Sequence, residues 1–570
     1  MKNISLYDVR EVQDLKDMLN SSARLYSEKA AFLSKEKEGS EYRPISYKQY
    51  KEDVDALGTA LLGLGLKGKR IALIGENRYE WSVSYLGILN GTGVVVPLDR
   101  ELPQNEIENL MIRSNVDAIV FSGNVSEKVL ALVEKLDFVS FYVNMDGKEE
   151  QGKLLSFHKL LQQGHKLLKE GDRSFIDAEI DVDAMNILLF TSGTTDLSKA
   201  VMLSHKNIST NLMAMCSMLY IPESDIFLSV LPIHHTYECT CGFLCPIYRG
   251  ATVAYCEGLR HIPKNLQESK ATLMLGVPLI FEAMYKRVWD QASKKPGTAV
   301  LKIGLKISNF LRKFNIDVTK KLFAPVHEAF GGHIRLFISG AAGIDPVVAK
   351  GFRDLGINTL QGYGLTECSP IAALNRDIDF KDSAAGLPLP GLEVRIHSPN
   401  TDGIGEIVIK GPSLMLGYYE NEEATQKVIK NGWFYSGDMG YIDTDGFVHI
   451  TGRKKNVIVT KNGKNIYPEE IETLLNRNTF IMESMVFGID NASGDTIVSA
   501  TIVPQMDKIE EELKSSSPSA DAVRSLIQDA VKSVNKGMVN YKHVKDIKLR
   551  ETEFTKTTTK KIKRYMEVNN

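Results

Sequence analysis

The segment at residues 191–201, TSGTTDLSKAV, concentrates groups that can bind phosphate. Its first five residues supply four hydroxyl side chains and Gly193, and Lys199 follows. Hydroxyls, backbone amides and an ammonium group all donate hydrogen bonds to phosphate oxygens, so the segment suits a nucleoside triphosphate. No glycine stands directly before Lys199, as the Walker pattern requires, and a Walker-type NTPase is therefore disfavoured. A plain Ser/Thr-rich turn remains the alternative.

The flanking residues predict the elements that hold this segment. Residues 185–190 are mostly apolar and indicate a buried strand. Ser204 can cap a following helix. The apolar side chains on one face of that helix would be Ile208, Leu212, Met215 and Leu219. We therefore expect the segment to connect a strand to a helix.

Seven further motifs follow in a fixed order along the chain. They are LPIHHTYE (231–238), SGAAG (339–343), QGYGLTE (361–367), YSGDMG (435–440), TGRKKN (451–456), NGKNIYPEEIE (462–472) and TKTTTKKIKR (555–564). In this order they resemble the adenylate-forming superfamily of acyl-CoA synthetases, luciferases and peptide-synthetase adenylation domains. The chain is most similar to the AMP-forming long-chain fatty acyl-CoA synthetases. The series covers nearly the whole chain and is far more specific than any single motif.

The resemblance implies a site for ATP and Mg²⁺. The phosphates would be bound by residues of the first motif: Thr191, Ser192, Gly193, Thr194, Thr195 and Lys199. Glu367, with Thr194, would hold Mg²⁺ through hard oxygen ligands. The nucleoside would be bound by residues of later motifs: Gly340, Ala341, Tyr363, Gly364, Thr366, Asp438 and Arg453. Taken singly, Tyr363 also fits a core aromatic, Glu367 a helix start and Asp438 a turn.

The resemblance assigns the catalytic cation of adenylation to Lys561, since residues 556–564 overlay the family pattern KTxxGKxxR. A solvated basic tail is the alternative, because Lys560 and Lys563 flank it. In the family the small C-terminal domain swings between adenylation and thioester formation. Lys455 matches the hinge position of that movement.

Three more residues acquire roles from the resemblance. Gly463 and Lys464 would lie on the loop that approaches coenzyme A. His235 matches the histidine that closes the acyl side of the site, whereas a structural histidine is the alternative. Cys239, Cys241 and Cys245 lack the paired spacing of a structural zinc site and suit an apolar pocket wall instead.

Four positions depart from the family pattern. Asp196, Ser198 and Ala200 stand where the first motif usually has Gly, Pro and Gly, and Lys560 replaces the Gly before Lys561. A carboxylate beside a triphosphate repels it, unless the side chain points away or helps to bind Mg²⁺ through water, so ATP affinity is the property that Asp196 affects most directly. These departures motivate one alternative function, a catalytically silent acyl or nucleotide sensor.

Length and composition favour a soluble globular protein with several domains. The chain has 570 residues, which is enough for several domains. Its formal charge of -2 provides no overall electrostatic attraction for nucleic acid, and six cysteines are too few for a disulfide framework in a chain of this length. Alternating strands and helices predict two α/β sheet subdomains, and short strands after residue 391 predict a β-barrel-like part. We predict a large domain at 1–452 and a small mobile α/β domain at 453–570. The amino terminus is too polar for a secretion signal, so we expect a cytosolic protein.

Residues 301–323 carry six Lys or Arg and one acidic residue, with apolar side chains at helical spacing. Two interpretations stay open: an amphipathic helix on an anionic membrane surface, or a stripe that packs on its own domain.

The leading hypothesis is an ATP- and Mg²⁺-dependent fatty acid:CoA ligase that works through an acyl-adenylate. The alternatives are transfer of the acyl group to a carrier protein, activation of an aromatic acid, and the silent sensor. Acyl chain length and oligomeric state are beyond the sequence.

Overall fold

The computed structural model describes residues 5–191, 198–293, 297–460, 464–490, 496–557 and 560–567. These residues divide into two compact units. The first comprises described residues within 1–193, 197–394 and 409–434, and the second those within 395–408 and 435–570. The predicted domain boundary at residue 453 falls within a strand, Val448–Arg453, and stays a prediction.

Two large sheets form the framework of the first unit. The nine described strands of one run in the order Leu387–Pro388, Ile371–Leu374, Asn358–Gly364, Leu336–Ser339, Leu273–Gly276, Ile226–Ser229, Thr252–Tyr255, Ala30–Ser34 and Arg43–Ser46. The eight described strands of the other run in the order Gly417–Tyr418, Lys199–Leu203, Ile187–Thr191, Val94–Leu98, Arg70–Ile74, Ala118–Phe121, Phe141–Asn144 and Leu154–Ser156.

The central strands of both sheets are parallel and mostly apolar. Leu336–Ser339, for example, is buried at all four residues between two parallel neighbours. Parallel strands are covered on both faces, so they appear as continuous apolar runs rather than alternating ones. Their carboxyl ends meet at one edge of each sheet, where the following loops carry side chains for binding.

Helices of the first unit connect and cover these strands. They are Leu15–Tyr26, Tyr47–Gly63, Tyr79–Leu89, Gln104–Ser114, Ser126–Leu130, Phe157–Lys169, His205–Cys216, Cys245–Arg249, Ile262–Ser269, Pro278–Ser293, Gly297–Arg312, Thr319–Leu322, Ala324–Ala329, Pro346–Asp354 and Glu422–Val428. Residues Tyr237–Leu244 form a π-helix, which continues directly into Cys245–Arg249. All six cysteines are free thiols, and Cys239, Cys241 and Cys245 are buried.

The second unit is a smaller α/β assembly. The strands Glu393–His397, Gly405–Lys410 and Trp433–Ile442 adjoin in that order, and Val448–Arg453 pairs with the third. The strand Ile429–Lys430, which lies within the residue range of the first unit, pairs with Trp433 and Phe434. A three-stranded sheet follows, with strands Ile481–Asp490, Thr496–Pro504 and Val544–Leu549, and Ile458–Val459 pairs with Asn465–Ile466. The helices are Pro468–Asn476, Met506–Leu513, Ala520–Asn535 and Arg564–Glu567.

The fold class predicted from the sequence is confirmed, and two α/β sheets precede a small α/β part. One local expectation is wrong. The segment predicted to bind phosphate begins at the end of the strand Ile187–Thr191 and continues into an antiparallel strand, Lys199–Leu203, instead of a helix. The helix capped by Ser204 is present, but it begins after the second strand. Among the described residues, no helix is long and apolar enough to cross a membrane.

Candidate functional site

The predicted phosphate-binding segment is held by the ends of a strand pair. Thr191 pairs with Lys199 across the two strands, and the Thr191 hydroxyl donates to the Lys199 carbonyl oxygen at 3.4 Å. Lys199 is the first residue of the second strand, and it is half-buried. Five of the predicted residues lie outside the described residues: Ser192, Gly193, Thr194, Thr195 and Asp196.

Tyr418 links the predicted phosphate ligand to the predicted metal ligand. The Lys199 ammonium nitrogen lies 4.7 Å from the centre of the Tyr418 ring, a cation–π contact. The Tyr418 hydroxyl donates to Glu367 Oε1 at 2.9 Å. Tyr418 belongs to a strand that pairs with Lys199–Leu203, so backbone pairing fixes its position. A cation and a carboxylate are thus held by one buried aromatic side chain.

Glu367 suits a hard divalent cation. Its carboxylate is half-buried on a 3₁₀ turn, Thr366–Cys368, and its backbone oxygen accepts from Met415 at 2.8 Å. The described residues hydrogen-bond one of its two carboxylate oxygens, and oxygen ligands of this kind are those that Mg²⁺ prefers. The residues present therefore fit Mg²⁺, and the role of Glu367 as its ligand stays a prediction.

The histidine motif meets the glutamate motif through two threonines. The Thr236 hydroxyl donates to the Thr366 hydroxyl at 3.3 Å, which places His235 next to that contact in the chain. The sequence analysis quoted Thr236 within its motif but gave it no role. The contact joins two motifs that are 130 residues apart.

His235 also belongs to a cluster with Asp99 and His234. Their ligand atoms all lie within 4.8 Å of one another, a group that could hold a metal ion. The His234 Nε2 atom is 3.6 Å from Asp99 Oδ2, too far for a hydrogen bond. Desolvation lowers the pKa of His234 to about 3, and Arg100 acts in the same direction. His234 is therefore a neutral imidazole at physiological pH.

The residues predicted to bind adenine lie along one edge of the nine-stranded sheet. Gly340 and Ala341 directly follow Leu336–Ser339, and Tyr363 lies on the neighbouring parallel strand. A side chain at Gly340 would meet the Tyr237 ring at 2.6 Å, and Ala341 has a positive φ of 69°. Tyr363 is buried, a position that is compatible with a core aromatic and with a ring that stacks on adenine.

Gly364 has a purely steric requirement for glycine. A Cβ atom there would lie 1.9 Å from the Pro370 carbonyl oxygen, a contact that only a backbone shift could relieve. Leu365 donates to that same oxygen at 2.9 Å, so the close approach is part of the turn that leads to Glu367. Gly364 therefore positions Thr366 and Glu367 through the backbone.

Two of the departures from the family pattern have local structural partners. Arg113 donates to the Ser198 carbonyl oxygen at 2.7 Å and to its hydroxyl at 3.2 Å. Ala200 is buried in the apolar core beside the strands. The strand that begins at Lys199 is thus fixed by a guanidinium and by packing. Arg113, absent from the sequence prediction, lies in no motif that could have indicated it.

In the second unit Asp438 and Arg453 form an ion pair. They oppose each other on adjacent strands, and Arg453 Nε lies 2.8 Å from Asp438 Oδ1. Arg453 also donates to the Ser436 carbonyl oxygen at 3.1 Å. The Ser436 hydroxyl in turn donates to the Ile407 carbonyl oxygen and accepts from the Asp438 amide. The predicted ribose ligand is therefore buried and oriented by its predicted partner.

The predicted hinge follows this pair directly. Lys455 is exposed on a 3₁₀ turn, Lys454–Asn456, and desolvation followed by Arg453 and Arg564 lowers its pKa. Its neighbour Lys454 makes a salt bridge of 2.7 Å with Glu406. Lys464 is exposed, and its amide donates to the Thr460 hydroxyl, whereas Gly463 lies outside the described residues. The hinge and coenzyme A roles stay predictions.

Lys561 is presented by a tight hairpin. Lys556 pairs with Ile562, the Thr557 amide donates to the Lys561 oxygen at 2.8 Å, and the Lys561 amide donates to the Thr557 hydroxyl at 3.1 Å. Arg564 anchors the far side, since it donates to both Glu472 oxygens and to the Val486 oxygen. None of these bonds uses the Lys561 side chain.

The Lys561 ammonium group has an unusual environment. The residue as a whole is exposed, yet its charged end is desolvated, as long side chains often differ along their length. Desolvation lowers the pKa of Lys561 to about 8, Arg453 acts in the same direction, and Asp438 opposes both. Lys561 therefore interacts electrostatically with the Asp438–Arg453 pair.

Lys560 stands where the family pattern has glycine, and its backbone is left-handed, with φ at 63°. A left-handed backbone costs an L-residue about 1 to 2 kcal/mol, and more for a β-branched one. Lysine already bears this cost, so Lys560→Val adds only the excess strain of β-branching, and we expect it to speed amide hydrogen exchange in this hairpin by at least about twofold. Lys560→Gly should leave exchange unchanged or slower, since strain relief offsets the entropy of glycine. Equal exchange in both variants would contradict the assigned strain.

Known proteins match most of the chain. A model of the AMP-binding enzyme family matches residues 19–419. The long-chain-fatty-acid–CoA ligase of Salmonella typhimurium is 27% identical, and the alignment covers 86% of each chain. Fatty acyl-CoA synthetase B of Dictyostelium discoideum is 25% identical over 97% of this chain and 87% of its own. The structure of the anthranilate CoA ligase AuaEII with anthranoyl-AMP has the same fold, with a TM-score of 0.78, 20% identity, and coverage of 100% and 98%.

Proposed function

We propose that this chain, which belongs to the AMP-binding enzyme family, activates a fatty acid with ATP and transfers the acyl group to coenzyme A. In the first step a carboxylate oxygen attacks the α-phosphorus, the bond to the β-phosphate breaks, and pyrophosphate leaves. In the second step the thiolate of coenzyme A attacks the acyl carbonyl, and AMP leaves. The acyl-adenylate, pyrophosphate, acyl-CoA and AMP are all formed from atoms of ATP, the acid and coenzyme A.

The observation that carries this proposal is the chain of contacts from Lys199 through Tyr418 to Glu367. Two anions must approach each other in adenylation, so the protein must first neutralise charge. Lys199 would bind phosphate oxygens, and the Tyr418 hydroxyl would orient the Glu367 carboxylate toward Mg²⁺. Bound Mg²⁺ would offset phosphate charge by Lewis acid coordination.

The second unit would contribute a ribose ligand and a cation. Asp438 has its carboxylate oriented by Arg453, which leaves it as an acceptor for sugar hydroxyls. Lys561 would donate to the acyl and α-phosphate oxygens as negative charge accumulates on them. Its removal from the site before thioester formation, by movement about Lys455, is part of the proposal.

The fatty acid assignment is supported by the names of two curated relatives that the chain matches over most of their length. A direct test supplies straight-chain fatty acids of several lengths and aromatic acids with ATP, and follows pyrophosphate release with and without coenzyme A. We expect acid-dependent release with fatty acids and acyl-CoA formation when the thiol is present. Release with aromatic acids alone, adenylate that persists despite coenzyme A, or no turnover with any acid would each overturn the proposal.

A cytosolic location is part of the same proposal. The six cysteines are free thiols, and five of the six are buried. Reduced thiols are typical of the cytosol.

The pKa of Lys561 predicts how adenylation depends on pH. Because the ammonium form is the active one and its pKa is about 8, the rate should be constant to about pH 7. It should then fall through pH 8 by up to about tenfold per unit. Pyrophosphate release without coenzyme A measures this limb apart from thiol ionisation. Lys561→Arg stays charged and should lack the limb, and an identical fall in that variant would contradict the assignment.

A further inference from the structure

The helix Gly297–Arg312 carries an unpartnered apolar face on its solvent side. We define the apolar face by five exposed residues, on the helix and just after it: Val300, Ile303, Ile307, Phe310 and Phe314. Each is between 49% and 69% exposed. With about 100° of rotation per residue, they span about 80° of the helix circumference. The Phe310 and Phe314 rings also contact each other, at 5.3 Å between centres.

The opposite side of the same helix attaches it to the first unit. Leu301 and Leu305 pack against the apolar core, and Gly304 and Ser308 are buried. A Cβ atom on Gly304 would lie 3.2 Å from the Phe323 ring, which shows how closely this side approaches its neighbours. The rotation of the helix is therefore fixed, and the apolar face cannot turn inward without breaking this packing.

Basic side chains border the apolar face. Lys302, Lys306 and Lys313 are exposed on the arc next to it, about 40° to 80° beyond Phe310 in rotation. Residues 301–323 include six Lys or Arg against one Asp, and Arg312 already lies 4.0 Å from that Asp317. An apolar stripe beside a cationic stripe is the arrangement of helices that lie in the interface of an anionic bilayer.

We propose that this apolar face docks on an anionic phospholipid surface, with Phe310 and Phe314 in the acyl boundary and the lysines among the headgroups. A second copy of the chain is disfavoured as the occupant. A symmetric contact would bring together two copies of the same cationic border, which is repulsive. The lipid surface instead supplies both an apolar layer and negative charge. The proposal depends on the exposed face and is independent of the catalytic function.

Sedimentation of the full chain with vesicles tests the proposal without ATP, acid or coenzyme A. We expect binding to phosphatidylcholine vesicles containing about 30% phosphatidylglycerol to exceed binding to pure phosphatidylcholine by at least about tenfold. Phe310→Ser with Phe314→Ser should lower binding to the anionic vesicles by about tenfold or more. Lys302→Ala with Lys306→Ala should lower it by up to about 25-fold and flatten its dependence on salt.

A matched control uses an apolar residue exposed elsewhere in the first unit. Ile378 is 71% exposed, so Ile378→Ser should leave vesicle binding unchanged. All substituted side chains are exposed, and an unchanged thermal transition would verify that each variant is folded. Failure of the wild-type chain to bind anionic vesicles would overturn the proposal. So would unaltered binding of the double phenylalanine variant, or a dimer that this variant converts to a monomer.

Discussion

Lys561→Ala is expected to slow adenylation by about 100- to 1000-fold while changing thioester formation from preformed acyl-adenylate by less than about threefold. One preorganised contact to developing negative charge contributes about 3 to 4 kcal/mol to transition-state stabilisation. The hairpin should survive, because its backbone bonds to Thr557 and its Arg564 anchor do not use the Lys561 side chain. Single-turnover pyrophosphate release measures the first step, and acyl-CoA formation from synthetic adenylate measures the second.

Lys563→Ala provides the matched control for Lys561, since it removes an ammonium group from the same hairpin. That variant should adenylate at close to the wild-type rate. Equal losses in both half-reactions of Lys561→Ala would indicate a structural role. Equal losses in the two lysine variants would indicate that only the net charge of the hairpin matters, as expected for a solvated basic tail.

Local sequence patterns predicted the helices and strands that can be recognised from their own residues alone. The apolar run at 185–190 predicted a strand, and Ser204 predicted the start of a helix, and the structure has the strand Ile187–Thr191 and the helix His205–Cys216. The strand Lys199–Leu203 was missed, because the motif KAVML is short and was interpreted as the end of a loop. Its identity as a strand depends on partners at Ile187–Thr191 and Gly417–Tyr418, which no local pattern specifies.

The motifs predicted site residues better than the contacts between them. Tyr418 lies outside every quoted motif, and it reaches Glu367 across 51 residues of sequence.

The Asp438–Arg453 pair illustrates a register effect. The turn that pairs Ile442 with Val448 would place Asp438 opposite Gly452, but an irregularity after Met439 shifts the partner to Arg453. A shift of one residue reverses which side chains share a face, so counting from the turn gives the wrong partner.

Glu367→Gln is expected to lower adenylation by about 100-fold and to raise the Mg²⁺ concentration needed for half-maximal rate by at least about tenfold. Glutamine keeps an oxygen that can accept from the Tyr418 hydroxyl, so the local packing should persist. It removes the negative charge, and ligand charge is a main determinant of divalent cation affinity. Pyrophosphate release measured over a Mg²⁺ titration gives both quantities. Glu179→Gln, which neutralises an exposed carboxylate, should change neither.

Tyr418→Phe separates orientation of this carboxylate from its charge. The variant retains the ring beneath the Lys199 ammonium group but loses the hydroxyl that donates to Glu367. Residues that orient metal ligands typically alter metal affinity or activity by about 10- to 100-fold, so the Mg²⁺ requirement should rise here too, with the charge still present. A rise in both variants supports the proposed chain from Lys199 through Tyr418 to Glu367. Wild-type Mg²⁺ dependence in Glu367→Gln would instead place the cation on other residues, and Glu367 would then serve only to fix the turn that carries it.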